Sequence, residues 1–262
     1  MQITLFTSNQ IRHNYLGNLL LKISTKLNVV QENNISASKI VPNHYLESSL
    51  MEEYFKKVNN AQKKLFGNPA DLNKNKNVNL ISLQSGELNK CSIESLNNFL
   101  KSDIYIVFGS SYIKGELVNL LIKNKALNIH MGVSPYYRGT DCNFWALYDE
   151  NPHLVGATIH LLSKGLDSGP MLYHALSKIK EDPFLYTMST VKSAFHSLVE
   201  RIKNKKIFEY LPEEQNKSKE VRYSKKGDFN EEVVKKFLSK KIDLNKKIFK
   251  TSLYKDPYFL KN

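Results

Sequence analysis

The feature that most constrains the fold is an alternation of short β-rich runs with stretches of helical periodicity. The run 3–6 predicts a strand, and the apolar residues that then recur at every fourth position predict a helix over 11–27. Further strands are predicted at 78–83, 103–108, 126–130, 156–162 and 171–174, and further helices at 45–66, 93–100, 114–124 and 184–205. This alternation is typical of an α/β protein with a doubly wound, mainly parallel Rossmann-like sheet, which binds ligands beyond the carboxyl ends of its strands.

The net charge of +13 is concentrated in the last quarter of the chain. Residues 1–200 carry 20 Lys and Arg against 16 Asp and Glu, whereas residues 201–262 carry 18 against 9. Helical periodicity also weakens there, so we divide the chain into a large α/β domain, 1–205, and a short basic C-terminal extension, 206–262. Only four of the 38 basic residues are Arg, the better residue for reading phosphates and bases. The charge therefore favours solvated surface over a nucleic-acid site.

Composition excludes several other classes of protein. The longest apolar runs, such as 104–108, are too short to cross a membrane, and the first residues lack the basic start and apolar core of a signal peptide. Cys91 and Cys142 are too few for a disulfide scaffold or a four-cysteine zinc site. We therefore expect a cytoplasmic protein without a metal and without a membrane partner.

Three polar residues near predicted strand ends are candidates for catalysis. Asn128 and His130 are two positions apart on one strand, so their side chains share a face, and Asp167 lies in a Gly- and Pro-containing turn after the next strand. An amide and an imidazole can donate hydrogen bonds to the oxyanion of a tetrahedral intermediate. A carboxylate can orient the imidazole and accept a proton from an attacking amine. The trio suits acyl transfer to an amine.

Each of these residues also has a structural interpretation when taken alone. His130 suits a hydrogen-bonded core histidine, and Asp167 suits a turn residue bonded to its own backbone. Spacing by itself leaves both interpretations open.

The window around the trio resembles the formyltransferases that use 10-formyltetrahydrofolate. The resemblance is strong over about 100–175 and weak in the N-terminal strand–helix region. The motifs that carry it are Leu127-Asn128-Ile129-His130, Ser134-Pro135-Tyr136-Tyr137-Arg138-Gly139, Trp145-Ala146, Gly156-Ala157-Thr158-Ile159-His160 and Leu166-Asp167-Ser168-Gly169-Pro170. The resemblance implies the formyltransferase fold and a formyltransferase catalytic domain over 1–205.

The resemblance also implies roles for individual residues. The family's catalytic trio falls on Asn128, His130 and Asp167, with the first two stabilising the oxyanion and the third assisting proton transfer. The family's folate pocket falls on two loops whose residues here are Phe108, Gly109, Ser110, Ser111, Tyr112 and Ile113, and Ser163, Lys164, Gly165 and Leu166. The implied co-substrate is 10-formyltetrahydrofolate, and no metal is implied.

The branches of this family differ in the amine that they formylate, and features outside the trio distinguish them. Methionyl-tRNA formyltransferases carry a C-terminal β-barrel, but residues 206–262 lack the spaced, alternating strands that a barrel needs. They also carry a basic loop after the second strand, and the corresponding residues here, 31–36, are not basic. Glycinamide ribonucleotide formyltransferases carry a Gly-rich phosphate loop where this chain has 7–10. The remaining branch formylates nucleotide-linked amino sugars for surface polysaccharides and is often dimeric. A nucleotide-linked amino sugar is therefore the acceptor that we expect first. One alternative is an enzyme that formylates methionyl-tRNA. The other is a non-catalytic protein that binds RNA or an acidic partner through its basic tail.

Six residues outside the predicted trio are candidates for binding the acceptor. They are Ser8, Asn9 and Arg12 near the start of the first predicted helix, and Tyr137, Arg138 and Gly139 after the trio's strand. The second group offers aromatic surface and one charge to a nucleotide or a sugar phosphate. An equal alternative for Ser8 and Asn9 is N-capping of the helix over 11–27. The stretch 141–143 departs from many relatives, which have a Pro there, so we expect an unusual acceptor.

Overall fold

A computed structural model describes residues 1–33, 48–244 and 250–260 of the chain. Its strands are β1 (Gln2–Ser8), β2 (Lys26–Asn33), β3 (Val78–Gln84), β4 (Ile104–Phe108), β5 (Leu127–His130), β6 (Tyr137–Gly139), β7 (Ala157–Leu161), β8 (Met171–Leu176), β9 (Arg222–Ser224) and β10 (Tyr258–Phe259). Its helices are α1 (Ile11–Leu21), α2 (Ser49–Phe66), α3 (Gly115–Lys123), α4 (Cys142–Tyr148), α5 (Pro183–Lys203) and α6 (Glu231–Ser239).

Eight strands form the central sheet, in the order β10-β8-β7-β5-β4-β1-β2-β3. The first five strands of the chain pair in parallel, β7 is antiparallel to both β5 and β8, and β10 is parallel to β8. The chain starts in the middle of the sheet and winds outward in both directions from β1, so the strand order reverses between β1 and β4. This confirms the predicted doubly wound, mainly parallel sheet. The crevice at that reversal is where such folds bind ligands.

Burial on both faces explains why several strands appear in the sequence as continuous apolar runs. β4 and β8 are buried along their whole lengths. α5 packs against the sheet through Val191, Ala194, Phe195 and Leu198, which follow helical spacing and belong to the main core. Asp182 begins this helix, because its side chain accepts a hydrogen bond from the Leu185 backbone amide.

Two predicted helices differ from the structure. The helix predicted over 11–27 ends at Leu21, and Leu27 lies in β2, a buried strand whose adjacent Val29 and Val30 favour extended backbone. The helix predicted over 93–100 is only a 3₁₀ turn at Asn97–Phe99. The predicted start of α2, 45–47, lies outside the described residues.

The described part of the segment after residue 205 packs onto the rest of the chain. β9 pairs with β6, and β10 extends the central sheet beside β8. Phe237 of α6 packs against Phe144 of α4 with ring centroids 4.7 Å apart, and Arg222 forms a bidentate ion pair with Asp149. A Cβ on Gly139 would lie 1.9 Å from the backbone oxygen of Ser224, so this contact between β6 and β9 requires glycine.

Among the helices that are described, none is both long enough and apolar enough to cross a membrane.

Candidate active site

The predicted catalytic residues meet at the carboxyl end of β5. Asn128 and His130 lie on β5 itself, and Asp167 lies in the loop between β7 and β8. β7 runs antiparallel to β5 and places His160 directly opposite Asn128. Asp167 has a left-handed φ of 45°, a strained conformation for a residue with a side chain, and such strain is often found at functional sites.

Asn128, His130 and Asp167 form one hydrogen-bonded network. Asn128 Nδ2 donates to Asp167 Oδ1 at 3.1 Å, and His130 Nδ1 lies 3.3 Å from Asp167 Oδ2. His130 Nε2 donates to the backbone oxygen of Tyr137 at 3.0 Å. Both ring nitrogens of His130 therefore face acceptors, an arrangement that suits the protonated imidazolium. The structure brings the three predicted residues together.

His130 and Asp167 stabilise each other's charge although both side chains are largely buried. Burial opposes protonation of His130, but the neighbouring Asp167 carboxylate holds the pKa of His130 well above its ordinary value of 6.5. Burial also opposes ionisation of Asp167, but His130 beside it holds the pKa of Asp167 well below its ordinary value of 3.8. At neutral pH the two form an imidazolium–carboxylate pair.

His160 also belongs to this network, although the sequence predicts no role for it beyond its place in a family motif. Its Nδ1 donates to the backbone oxygen of Leu161 at 2.8 Å, so its Nε2 is left to accept from Asn128 Nδ2 at 2.9 Å. His160 thereby fixes the Asn128 amide with its nitrogen toward Asp167. The sequence signal was a histidine on the mainly apolar strand predicted at 156–162, but the pairing of His160 with Asn128 is not local in sequence.

The hydrogen-bond donors of the trio already have partners in this arrangement. The Asn128 amide donates to His160 and Asp167, and His130 faces Asp167 and the Tyr137 carbonyl. A direct hydrogen bond from either residue to an oxyanion therefore requires the substrate to displace one of these acceptors. The positive charge of His130 can act on an oxyanion without such an exchange. Donor hydrogen bonds in unliganded sites often realign in this way when substrate binds.

A cavity of about 370 Å³, here called the loop cavity, opens beside the trio. The predicted folate-binding residues that line it are Phe108, Gly109, Ser110, Ser111, Tyr112, Ile113, Ser163, Gly165 and Leu166. Asn128, His130 and Asp167 line it as well. Lys164 lies outside this lining, and its backbone oxygen accepts a hydrogen bond from the Tyr112 hydroxyl. That bond ties the two predicted folate loops together.

A buried carboxylate holds one wall of the loop cavity. Glu32, at the end of β2, is 2% exposed and accepts from the Ser111 amide at 2.5 Å and from the Ser111 hydroxyl at 2.9 Å. It also accepts from the Gly86 amide at 2.8 Å, which links the loop after β3 to the same point. The sequence predicts 31–36 as a non-basic loop and carries no signal for this contact. Glu32 fixes the course of the loop that follows β4.

A second cavity of about 300 Å³, here called the aromatic cavity, lies on the other side of His130. Its aromatic walls are Tyr54, Phe55, Phe144, Phe184, Phe229 and Phe237. The two cavities share Arg12, His130, Met131, Gly139 and Asp141, so the imidazole stands at their junction. This layout can hold two small molecules with their reacting groups on either side of His130.

Arg12 and Asp141 both line the two cavities at this junction. Arg12 donates from Nη1 to Gln62 Oε1 at 2.9 Å, and burial lowers the pKa of its guanidinium to about 10, which leaves it charged at neutral pH. Burial raises the pKa of the Asp141 carboxyl, against the opposing effects of a Thr140 hydrogen bond and of the charges of Lys226 and Arg12. The predicted substrate residue Arg12 therefore faces both cavities beside an acidic group.

The other predicted acceptor residues lie in different surroundings. Gly139 lines both cavities, whereas Ser8, Asn9, Tyr137 and Arg138 are absent from the described lining of either. The Tyr137 hydroxyl contacts Asp149 and Asn151, and Arg138 forms an ion pair with Glu220 at 3.0 Å. Ser8 and Asn9 also do not cap α1, because Gln10 occupies the N-cap position and no side chain bonds to the cap.

Within the described ranges, no three His, Cys, Asp or Glu side chains are grouped so that they could hold a metal ion.

Comparison with known proteins identifies the family. Residues 55–207 match the formyl transferase family. A methionyl-tRNA formyltransferase from Caldanaerobacter subterraneus subsp. tengcongensis is 28% identical over 151 residues, which cover 57% of this chain and 48% of that protein. The chain thus spans about half the length of that relative.

Solved structures show the same fold at low sequence identity. The formyltransferase PseJ from Anoxybacillus kamchatkensis, in complex with UDP-4,6-dideoxy-4-formamido-L-AltNAc and tetrahydrofolate, is 19% identical with a TM-score of 0.51 over 87% of each chain. An N-formyltransferase from Helicobacter canadensis, in complex with folinic acid and dTDP-3-aminofucose, is 14% identical with a TM-score of 0.50 over 90% of this chain and 78% of that one. Since the family match covers more than half of the sequence and the sheet has the corresponding architecture, the chain belongs to the formyl transferase family.

Proposed function

We propose that this protein transfers a formyl group from 10-formyltetrahydrofolate to the primary amine of a nucleotide-linked amino sugar. The observation that carries the proposal is the position of His130, which is paired with Asp167 and stands between two cavities. A formyl donor in the loop cavity and an amine entering from the aromatic cavity would meet at this imidazolium. The product belongs to the cytoplasmic reactions that precede surface-polysaccharide assembly.

The loop cavity has the chemistry that a pterin ring needs. Val107, Phe108, Ile113 and Leu162 give it apolar walls, and the two loops expose backbone amides and carbonyls for orientation. The buried His13 ring also lines it, and its Nδ1 has no hydrogen-bond partner among the described residues. Burial holds the pKa of His13 well below 6.5, so the ring adds a neutral wall to this cavity. PseJ and the Helicobacter canadensis enzyme bind tetrahydrofolate and folinic acid.

The chemical step needs an oxyanion stabiliser and a proton path. The folate supplies a formyl carbon activated on N10. The amine nitrogen bonds to that carbon, the bond from carbon to N10 breaks, and one amine proton moves to N10. His130 stabilises the negative charge on the formyl oxygen, with Asn128 donating once it exchanges partners. Asp167 receives the amine proton, directly or through water, and passes it on.

Charge and the known neighbours support an anionic sugar nucleotide as the acceptor. Arg12 lines both cavities at their junction, and the charge of Lys226 acts on the neighbouring Asp141, so a nucleotide phosphate would be attracted there. The structure of PseJ holds a UDP-linked 4-formamido sugar, and that of the Helicobacter canadensis enzyme holds dTDP-3-aminofucose. Methionyl-tRNA is the second candidate acceptor, because the relative from Caldanaerobacter is a methionyl-tRNA formyltransferase. A homodimer is proposed for the assembled enzyme.

The acceptor can be identified by product mass. Purified protein is supplied with 10-formyltetrahydrofolate and a panel of UDP-, dTDP- and GDP-linked amino sugars, glycinamide ribonucleotide and charged initiator tRNA. We expect a mass gain of one formyl group on a nucleotide sugar. Formylation of the tRNA alone would reject the sugar assignment, and no formylated product with any amine would reject formyl transfer.

Glu32 provides a test of the donor side that leaves the catalytic trio intact. Replacing Glu32 with Gln removes the charge that holds the Ser111 amide and hydroxyl, so the folate loop loses its anchor. A hydrogen bond to a charged group contributes about 1.5–3 kcal/mol, and we therefore expect the donor KM to rise about tenfold or more while kcat stays within about twofold. Steady-state kinetics at varied donor concentration measure this. Glu94→Gln, at an exposed carboxylate, is the matched control, and an unchanged donor KM in Glu32→Gln would contradict the assignment of the loop.

A further inference from the structure

One side chain of the C-terminal extension reaches the backbone of the predicted proton acceptor. Gln215 Nε2 donates to the backbone oxygen of Asp167 at 2.8 Å and to that of Gly169 at 2.9 Å. A single amide group therefore spans the turn that carries Asp167. Asp167 and Gln215 are 48 residues apart in sequence.

The turn that Gln215 spans is tightly constrained. Asp167 has a φ of 45°, and a Cβ on Gly169 would lie 1.7 Å from the backbone oxygen of Leu161. The backbone of the turn is thus pressed against β7 on one side and tied to Gln215 on the other. A strained turn persists only where its surroundings hold it, and here two of the holding hydrogen bonds come from the extension.

Gln215 is itself well placed to act as a fixed support. Two residues before it, Glu213 exchanges both backbone hydrogen bonds with Met171, at 2.7 and 3.0 Å. Met171 is the first residue of β8, so the strand that follows the Asp167 loop also anchors the segment that carries Gln215. Lys255 Nζ adds a contact to Glu213 Oε2 at 2.9 Å. The amide of Gln215 therefore cannot move freely relative to the turn.

We propose that Gln215 is a positioning residue for Asp167, and that the extension is for this reason a working part of the active site. The inference rests on the proposed function for the role of Asp167 in formyl transfer. Gln215 would touch neither donor nor acceptor. It would set the height and tilt of the carboxylate that faces His130 Nδ1 at 3.3 Å and Asn128 Nδ2 at 3.1 Å. A misplacement of about 1 Å in such an arrangement can cost about 10²-fold in rate.

The test replaces Gln215 with Met, which keeps the length of the side chain and removes its N–H donors. We expect kcat to fall by about tenfold to a hundredfold, with donor and acceptor KM within about twofold. Gln215→Ala is the second variant, in case the thioether packs badly. Glu214→Gln, at the exposed neighbouring position, is the matched control and should leave kcat unchanged.

A second measurement does not depend on the reaction. The titration of His130, followed by NMR of its ring carbon protons in the full-length protein, reports how close the Asp167 carboxylate lies. We expect the midpoint in Gln215→Met to move toward lower pH while the control matches the unaltered protein. A kcat that stays unchanged, or one that falls together with thermal stability while the His130 midpoint does not move, overturns the proposal. If no amine is formylated by the unaltered protein, the proposed function fails, but the His130 midpoint still decides whether Gln215 positions Asp167.

Discussion

Replacing His130 with Ala is expected to lower kcat by about 10²–10³-fold while leaving the affinity for the formyl donor nearly unchanged. The His130 imidazolium lies at the junction of the two cavities, with its Nδ1 3.3 Å from Asp167 Oδ2. Replacing it with Ala removes the positive charge that would face the formyl oxygen. The loss is greater than that of a solvent-exposed charge, because His130 is 4% exposed and little water screens it. The two predicted folate loops do not include His130 and stay in place, so donor binding should persist.

Single-turnover kinetics measure the loss of rate in His130→Ala, and calorimetry measures whether the affinity for the formyl donor is retained. Asn128→Ala should lose a similar factor in rate, because its amide both orients Asp167 and can donate to the oxyanion. His153→Ala, at a partly exposed histidine on the 3₁₀ turn after α4, is the matched control and should retain the normal rate. Near-normal turnover in His130→Ala would remove the basis for assigning catalysis to this site.

Part of the geometry of the trio could be predicted because two of its members lie on one strand, whereas the catalytic assignment of the three residues came from the family resemblance. The alternation of a strand places Asn128 and His130 on the same face without any knowledge of the rest of the molecule. Asp167 could be added only through the family resemblance, because β7 runs antiparallel to β5 and strand direction alone does not bring the turn after β7 to the end of β5. His160 could not, because its role depends on the register of β7 against β5, and pairing register is not readable from one strand alone.

The contacts that support the site were less predictable, since they join distant parts of the chain. Glu32 meets Ser111 across 79 positions, and neither residue belongs to a periodic pattern that would link them. β6 and β9 are three residues each, too short to show the alternation that reveals a strand. The helix predicted over 11–27 failed for a related reason. Its spacing of four continued by coincidence into β2, where the pairing with β1 and β3 outweighs the local pattern.

The Lys-rich C-terminal extension contributes more to the site than its charge and weak periodicity indicated. The surplus of Lys in the extension suggested a solvated appendage, yet the described part of that segment adds β9 to β6, lines the aromatic cavity with Phe237 and supports the Asp167 turn with Gln215. Periodicity was weak there because these contacts are made by isolated side chains between short elements. A segment with weak hydrophobic periodicity can therefore be part of a site when it packs against elements that precede it in the sequence.

Replacing Asp167 with Asn is expected to lower kcat by about 10²–10⁴-fold and to bring the pKa of His130 below 6.5. The amide cannot accept the amine proton, and it no longer offers the carboxylate charge that outweighs burial of the imidazole. His130 in Asp167→Asn is therefore neutral at pH 7, whereas in the unaltered protein it is charged. A pH titration of the His130 ring by NMR measures the change directly, and an unchanged midpoint would show that another group controls its charge.

The same substitution predicts a specific pH dependence of the free energy of unfolding. Because the folded-state pKa of His130 is raised, its contribution is fully present below its ordinary value of 6.5 and is lost as pH rises through the folded-state value. Because the folded-state pKa of Asp167 is lowered, its contribution is present above its ordinary value of 3.8 and is lost as pH falls toward the folded-state value. The stability advantage of the unaltered protein over Asp167→Asn should therefore be largest between pH 3.8 and 6.5 and should shrink on either side. Denaturant unfolding at a series of pH values measures this difference, with Asp71→Asn, at an exposed carboxylate, as the control. A difference that does not shrink below pH 3.8 or above pH 6.5 would mean that the two side chains do not form a charged pair, and the electrostatic role assigned to His130 would fail with it.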